Sequence, residues 1–397
     1  MKTQTKTIEW REVELGNEDI CEIAGEYGSG ASAKKYDGEI RYIRITDIDE
    51  NGKLRDEKVS PSKIEEKYLL KKGDLLFARS GATVGKTHLF IGDGSKSLYA
   101  GYLIRFRFNK DKIDPNYIYY YTRTPKYLSW VKSKMKVVAQ PNINSRQYSS
   151  IKIPIPFNED KSDLKEQEKI VKILEKAEKL KERGKNANEL LDEYLKSVFN
   201  ELFYNNSFQE VKLSDICETS SGGTPSRTKQ EYWSNGKIPW IKSGDLNKDK
   251  ITEVNEFITE SGLKNSSAKY IEPNTILIAM YGATAGITSI SKIRATTNQA
   301  VCALVPKDKK LNEIYLLYWL RSKYEYIVSL SFGGGQPNIS QQVIRSLMIP
   351  IPPLPLQEKF TKIVNEIEKM KENVKKTESN SEELFNSLIQ KSFRGEL

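Results

Sequence analysis

Apolar and polar positions alternate in two regimes along this chain, and each regime occurs twice. Over residues 8 to 157 and again over 206 to 352, short runs rich in Ile, Val, Tyr and Phe, such as DLLFARSG and LYAGYLIRFRF, are separated by Gly, Asn and Asp. That pattern predicts strands joined by turns. Among them, Asn116 to Val131 and Asn312 to Val328 carry Tyr, Leu and Trp at helical spacing, which predicts packed helices. Their aromatics, Tyr117, Tyr120, Tyr121, Tyr315, Tyr318 and Trp319, are assigned to core rather than to base stacking.

The second regime follows the proline punctuation IPIPF at Ile153 to Phe157 and IPIPPLP at Ile349 to Pro355. A three-four repeat runs through Ile170, Ile173, Ala177, Leu180, Gly184, Ala187, Leu191, Tyr194 and Val198. Its counterpart runs through Phe360, Ile363, Ile367, Met370, Val374, Thr377, Ser381, Leu384 and Leu388. Each predicts a helix of about 35 to 40 residues, roughly 55 Å long. Two such seams in one chain bury each other most economically as an antiparallel pair with the globular regions at opposite ends, Gly184 and Ala187 leaving room near the middle. The polar faces, with Lys169, Lys172, Glu175 and Lys176, fit either solvated surface or a protein docking face.

The duplication extends to the letter. IRYIRITDID at Ile40 returns as IPWIKSGDLN at Ile238, and GATVGKT at Gly81 returns as GATAGIT at Gly282. AQPNINSRQYSSIKIPIP at Ala139 matches GQPNISQQVIRSLMIPIP at Gly335, and EQEKIVKILEKAEKL at Glu166 returns as LQEKFTKIVNEIEKM at Leu356. The order is kept, so the chain is a tandem repeat of one unit of roughly half its length. The expected fold is α/β (α+β): two globular mixed domains, 1–157 and 206–352, each followed by a spacer helix, 158–205 and 353–397, related by a pseudo-twofold repeat.

With 63 Lys and Arg against 53 acidic residues in 397, the net charge is +10, which favours a polyanionic partner. Cys21, Cys217 and Cys302 lack metal spacing and read as buried core residues of a reducing cytoplasm. No apolar run reaches the length that crosses a bilayer, so a soluble cytoplasmic protein without a membrane partner is expected.

Enzyme chemistry finds little footing. In GATVGKT three residues separate Gly81 from Gly85 where a phosphate-binding loop has four, and the second copy has Ile287 in place of the lysine. Asp47, Asp49, Asn51 and Gly52 begin like a calcium loop, but position twelve is Lys58. The second copy, Asp245, Asn247, Asp249 and Glu256, has Lys250 where glycine should turn. Both read as turns between strands. His88 is the only histidine and lacks a counterpart in the other copy. A binder is expected, with no catalytic residue, metal or cofactor in this chain.

The motifs SGGTPS at Ser221, PWIKSGDL at Pro239, YGATAG at Tyr281, NQA at Asn298, QPNIS at Gln336, PLPLQEKF at Pro353 and SFRGEL at Ser392 together resemble the specificity subunits of type I restriction-modification systems. The resemblance runs end to end and is closer in the second half; the first has EYGSGAS at Glu26 in place of SGGTPS. It implies two target recognition domains on double-stranded DNA, each reading one half of a split asymmetric site. It further implies docking of two methyltransferase subunits and of restriction subunits, which would carry S-adenosylmethionine, Mg and ATP. A stand-alone DNA-binding regulator and a self-contained nuclease or nucleotide hydrolase are the alternatives. Candidate DNA contacts are cationic, amide and hydroxyl side chains on turns: Lys34, Lys35, Arg44, Arg79, Ser80, Thr83, Lys86, Asn142 and Asn144, then Thr224, Ser226, Arg227, Lys242, Tyr281, Thr284, Gln336 and Asn338. Those matched between copies, such as Arg44 with Lys242 and Asn142 with Asn338, suit phosphates or structural duties. Lys34, Arg79 and Arg227, found in one copy, suit bases.

Overall fold

The computed structural model describes residues 8–92, 94, 96–135, 141–204, 206–308, 310–331 and 337–397. They form two compact units: residues 1–186 with 374–397, and residues 187–373. The division cuts both long helices, Leu164–Phe203 and Leu354–Ser392, so each unit holds a piece of each.

The first unit is built on a four-stranded antiparallel sheet in the order Cys21–Tyr27, Leu103–Phe108, Leu75–Ala78, Thr87–Leu89. Its inner strand LLFA is wholly apolar because both faces are covered. A parallel pair, Ile40–Ile43 with Lys96–Tyr99, lies beside it in sequence, and Glu9–Glu14 pairs antiparallel with Lys152–Asn158. The second unit repeats this order with Cys217–Ser221, Val301–Pro306, Ile276–Ala279 and Thr288–Ser291, adding Lys250–Ile251 at the edge. Ile238–Ile241 pairs in parallel with Ala295–Thr297, and Glu210–Lys212 pairs antiparallel with Met348–Pro350. The α/β repeat expected from the sequence is therefore present in the central sheet of both units.

Each helical stretch expected after the sheet is two helices. In the first unit Pro115–Tyr121 stops before Pro125–Met135, since Pro125 lacks the N–H that would continue the ladder. In the second, Glu313–Ser322 and Tyr324–Ser329 meet at Lys323. Tyr117, Tyr120, Tyr121, Tyr315 and Trp319 are buried and Tyr318 packs against the same core, so the aromatics are core as expected. Tyr117 and Tyr315 donate their hydroxyls to Pro154 O and Pro350 O, at 2.6 and 2.8 Å, fastening helix to strand identically in both copies.

The glutamine of the repeated QEK motif performs the same duty at each helix start. Gln167 Oε1 accepts the Asp114 N–H at 3.0 Å while its Nε2 donates to Lys112 O. Gln357 Oε1 accepts the Asn312 N–H at 2.8 Å while its Nε2 donates to Lys310 O and Pro352 O. Both side chains are completely buried, so these bonds satisfy groups that water cannot reach.

Antiparallel helix pairing is seen within each unit. In the first, Lys181 bonds Glu382 at 2.7 Å, and a Cβ on Gly184 would stand 2.6 Å from Glu378 Cγ, so this glycine permits close approach. In the second, Lys371 pairs with Asp192. The buried seam keeps part of the expected one, with Ile170, Ala177, Val198, Phe360, Ile367 and Ser381 buried, and departs from it elsewhere. Leu180, Tyr194, Met370 and Leu384 are exposed, whereas Leu174, Phe199, Val364, Phe385 and Ile389 are buried. Each helix half packs against both its partner and the globular core, which widens the apolar face beyond a two-helix seam.

Cys21, Cys217 and Cys302 are buried as expected, and burial pushes each thiol up to about 12. Among the described residues no helix is long and apolar enough to cross a membrane.

Candidate nucleic-acid interface

The repeated GAT motif makes the same turn in both units. Beyond Leu75–Ala78 the chain enters a short 3-10 turn at Gly81–Thr83, where the Gly81 N–H donates to Pro141 O at 3.1 Å and the Ile143 N–H to Arg79 O at 2.8 Å. Beyond Ile276–Ala279 the turn is Gly282–Thr284, with the Gly282 N–H on Pro337 O at 3.1 Å and the Ile339 N–H on Met280 O at 2.8 Å. Ser80 and Asn142, and likewise Tyr281 and Asn338, face each other in single bridges. Gly81 and Gly282 have φ of 66° and 74°, which L side chains resist, and nothing lies within 4 Å of where a Cβ would stand. The backbone turn thus faces open space, and Asn142 and Asn338 are exposed beside it.

This is a turn between strands, as the sequence suggests. In the first unit Lys86 is bound to Glu50 at 2.7 Å, and Thr83 Oγ1 donates to Ser80 O at 3.1 Å. Thr284 Oγ1 repeats the latter with Tyr281 O at 3.4 Å. The acidic turn that begins at Asp47 is organised by protein groups. Buried Asp47 accepts the Arg44 N–H at 2.8 Å and its guanidinium at 2.7 Å, and Asp49 Oδ1 accepts the N–H groups of Asn51 and Lys53, each at 2.8 Å. His88 is buried, its Nδ1 2.9 Å from Gly52 O, and burial holds its pKa below the usual value.

The candidate cations of the first unit divide by how they are held. Arg44 is locked to Asp47, which raises its pKa, and Asn144 caps the helix Ser145–Ser149 by accepting the Gln147 N–H at 2.9 Å. Both have structural duties. Arg79 lies with its guanidinium 4.7 Å from the Tyr27 ring centre and its Nε 3.4 Å from Asn142 Oδ1. It thereby gathers Arg79, Ser80 and Asn142 at one turn. Lys34 and Lys35 are exposed on the strand Ala33–Lys35, Lys34 reaching Asp37 at 3.3 Å.

In the second unit the SGGTPS loop is pinned by its glycines. A Cβ on Gly222 would stand 1.9 Å from Thr297 O, so this loop crosses the strand Ala295–Thr297 at backbone contact. Beyond it, Thr224 Oγ1 donates to Gln299 Oε1 at 2.5 Å and Ser226 Oγ bonds Thr228 Oγ1 at 2.9 Å. The Arg227 guanidinium lies 3.7 Å from the Trp233 ring centre and 4.9 Å from that of Trp240. Its Nη2 meets Glu256 Oε2 at 2.6 Å, while Lys242 Nζ meets Glu256 Oε1 at 2.5 Å. This arrangement brings Arg227 and Lys242 together on one carboxylate. Tyr281 is exposed at the GAT turn, and Gln336 lies outside the described residues.

Tyr27, Trp233, Trp240 and Glu256 are not among the sequence candidates for DNA contacts. Tyr27 and Trp240 lie inside the motifs EYGSGAS and PWIKSGDL, and Glu256 at the end of the calcium-like turn, so the signal was their place in those motifs, and Trp233 had only its nearness to SGGTPS.

A family model described as "Type I restriction modification DNA specificity domain" matches twice, over residues 7–190 and 205–382. The specificity subunit of an Escherichia coli type I restriction enzyme is 29% identical over 242 residues, an alignment covering 57% of this chain and 58% of that protein. The MjaIX specificity subunit of Methanocaldococcus jannaschii is 26% identical over 377 residues, covering 87% and 84%. Among solved structures, a chain from a study of assembly and conformational transition in a type I system superposes with TM-score 0.61 at 20% identity, covering 98% of each. The S subunit from M. genitalium gives 0.53 at 16%, covering 99% and 98%. These two show the fold. With both halves matched and the strand order duplicated, the chain belongs to the type I restriction-modification DNA specificity family, a family of recognition rather than catalytic subunits, and carries its domain in two copies.

Proposed function

We propose that each unit reads one half of a split, asymmetric double-stranded DNA site through its GAT turn and the cations around it, and that the chemistry belongs to other polypeptides. The observation that carries this is the turn itself. One backbone geometry, with open space over a left-handed glycine, occurs in both units. The side chains around it differ: Arg79 and Ser80 in one, Met280 and Tyr281 in the other. A shared frame with unlike tips suits two unlike half-sites. Asn142, Asn338 and Lys242, matched between the copies, suit phosphates, which are the same in any sequence. Arg79, Arg227 and Lys34, present in one copy only, suit bases, an arginine fitting guanine O6 and N7.

The partners are two methyltransferase subunits, which bring S-adenosylmethionine and the adenine-modifying site, and restriction subunits that use Mg and ATP. Exposed apolar residues on the long helices, Leu180 and Leu384 in the first unit and Leu190, Tyr194 and Met370 in the second, supply surface for such docking. Co-expression with the methyltransferase subunit tests the reading. A stable complex that methylates adenine, together with a purified chain that binds DNA but turns over neither DNA nor nucleotide with magnesium, is expected. DNA binding with no methyltransferase capture leaves a stand-alone regulator, and turnover by the chain alone leaves an enzyme.

A further inference from the structure

Glu256 joins two of the candidate cations of the second unit, and nothing in the family resemblance assigns it a role. It precedes the strand Phe257–Ile258 and its backbone is fixed, since its carbonyl accepts the Trp240 N–H at 3.0 Å. Each carboxylate oxygen takes one cation, Oε1 the Lys242 ammonium and Oε2 the Arg227 guanidinium. The Lys242 bond, with Arg227 beside it, holds the Glu256 carboxyl below its ordinary range. The side chain keeps 25% of its surface exposed, so the three charges meet at the rim of the fold and not in its core.

DNA offers both kinds of acceptor, an anionic phosphate oxygen for an ammonium and a guanine edge for a guanidinium. We infer that Glu256 is an internal stand-in for DNA: it holds Arg227 and Lys242 together in the free chain and yields Lys242 to a phosphate and Arg227 to a base edge. The inference rests on the proposed reading of the second unit. DNA must exchange two ion pairs before it gains these cations, and only a duplex that also satisfies Arg227 at a base edge recovers the full exchange. Glu256 therefore acts as a positioning residue that weakens non-cognate binding more than cognate binding. When the cations leave, the bare carboxylate takes up a counterion, which offsets part of the counterion release from DNA.

The test uses the full chain and a mixed-sequence 40-base-pair duplex titrated by fluorescence anisotropy from low to physiological salt. Glu256→Gln is expected to tighten binding on the order of tenfold and to steepen the slope of log affinity against log salt by about one. Glu256→Asp, which keeps the charge, is expected to retain the wild-type slope. Adenine methylation mapped in cells carrying Glu256→Gln with the methyltransferase subunits is expected to show the second unit's half-site relaxed and the other half unchanged. Weaker binding at an unaltered slope in Glu256→Gln, with both half-sites intact, overturns the inference and leaves Glu256 a structural tether. Arg227→Gln and Lys242→Gln separate the two levels. If both leave duplex affinity unchanged, the interface is elsewhere and the inference falls with it; if they weaken binding while Glu256→Gln behaves as a tether, only the inference falls.

Discussion

In the first unit the guanidinium nearest the GAT turn is Arg79, lying over Tyr27 and beside Asn142. At the matching place the second unit has Met280, which is buried, and its candidate guanidinium is that of Arg227, stacked on Trp233 and Trp240 and held by Glu256. The backbone beneath is the same in both. The peripheral strands diverge as well: the first unit pairs Ala33–Lys35 with Val59–Pro61, while the second pairs Phe257–Ile258 onto Ile238–Pro239. Duplication has preserved whatever holds the central sheet to the helices and released whatever faces outward, which is what two readers of different sequences require.

Breaking the shared frame should therefore hurt the unit that is cut and spare the other. Phe360, fully buried among Phe199, Phe203 and Tyr318, is the most sensitive point, and Phe360→Ala is expected to cost about 3–5 kcal/mol. Hydrogen exchange should show lost protection in the sheet around Ile276–Ala279 and little change around Leu75–Ala78. Gln357→Leu strips partners from the Asn312 N–H, from the buried Pro352 carbonyl and from the partly buried Lys310 carbonyl, and a loss of about 2–3 kcal/mol in thermal unfolding is expected. Gln167→Leu should do the same to the first unit. Gly282→Ala strains only a left-handed backbone with open space around it, so about 1 kcal/mol is expected, with the larger loss appearing in duplex affinity.

The smallest effect is a pH dependence confined to the first unit. His88 is buried beside Arg41 and Arg123, and its pKa lies below the ordinary value near 6.5, so the unfolded chain takes the proton first. The stability it contributes is complete above about pH 6.5 and is lost as pH falls towards the folded-state pKa. At the same place the second unit has Ser289, whose hydroxyl donates to Lys248 O at 2.7 Å and does not titrate. Hydrogen exchange at pH 7.5 and 5.5 should show the first unit alone losing protection, and His88→Gln should remove the difference.

Much of this was legible in the sequence, because internal repetition supplies a second copy against which to read the first. The sheet strands, the buried tyrosines, the turn at Gly81 and the long helices follow from apolar spacing and from Gly and Pro placement. The helix seam holds at Ile170, Ala177, Val198, Phe360, Ile367 and Ser381 and widens beyond them because a heptad accounts for one neighbour, whereas Phe385 and Val364 answer to two. The site was legible as a set of turns but not as a set of partners. Neither partner of Arg44 or Arg227 shows in the sequence: Arg44 belongs to Asp47, three residues away, and Arg227 to Glu256, across the fold. Pairings set by the tertiary structure leave no local pattern.

The central claim is that the two units read separate halves of one site with different side chains on a common frame. Genome-wide adenine methylation in cells carrying Arg79→Ala or Arg227→Ala with the methyltransferase subunits tests it most directly. Each variant should relax one half of the methylated sequence, a different half for each, with the gap between halves unchanged. Relaxation of the same half by both variants, or of both halves by either, would contradict it.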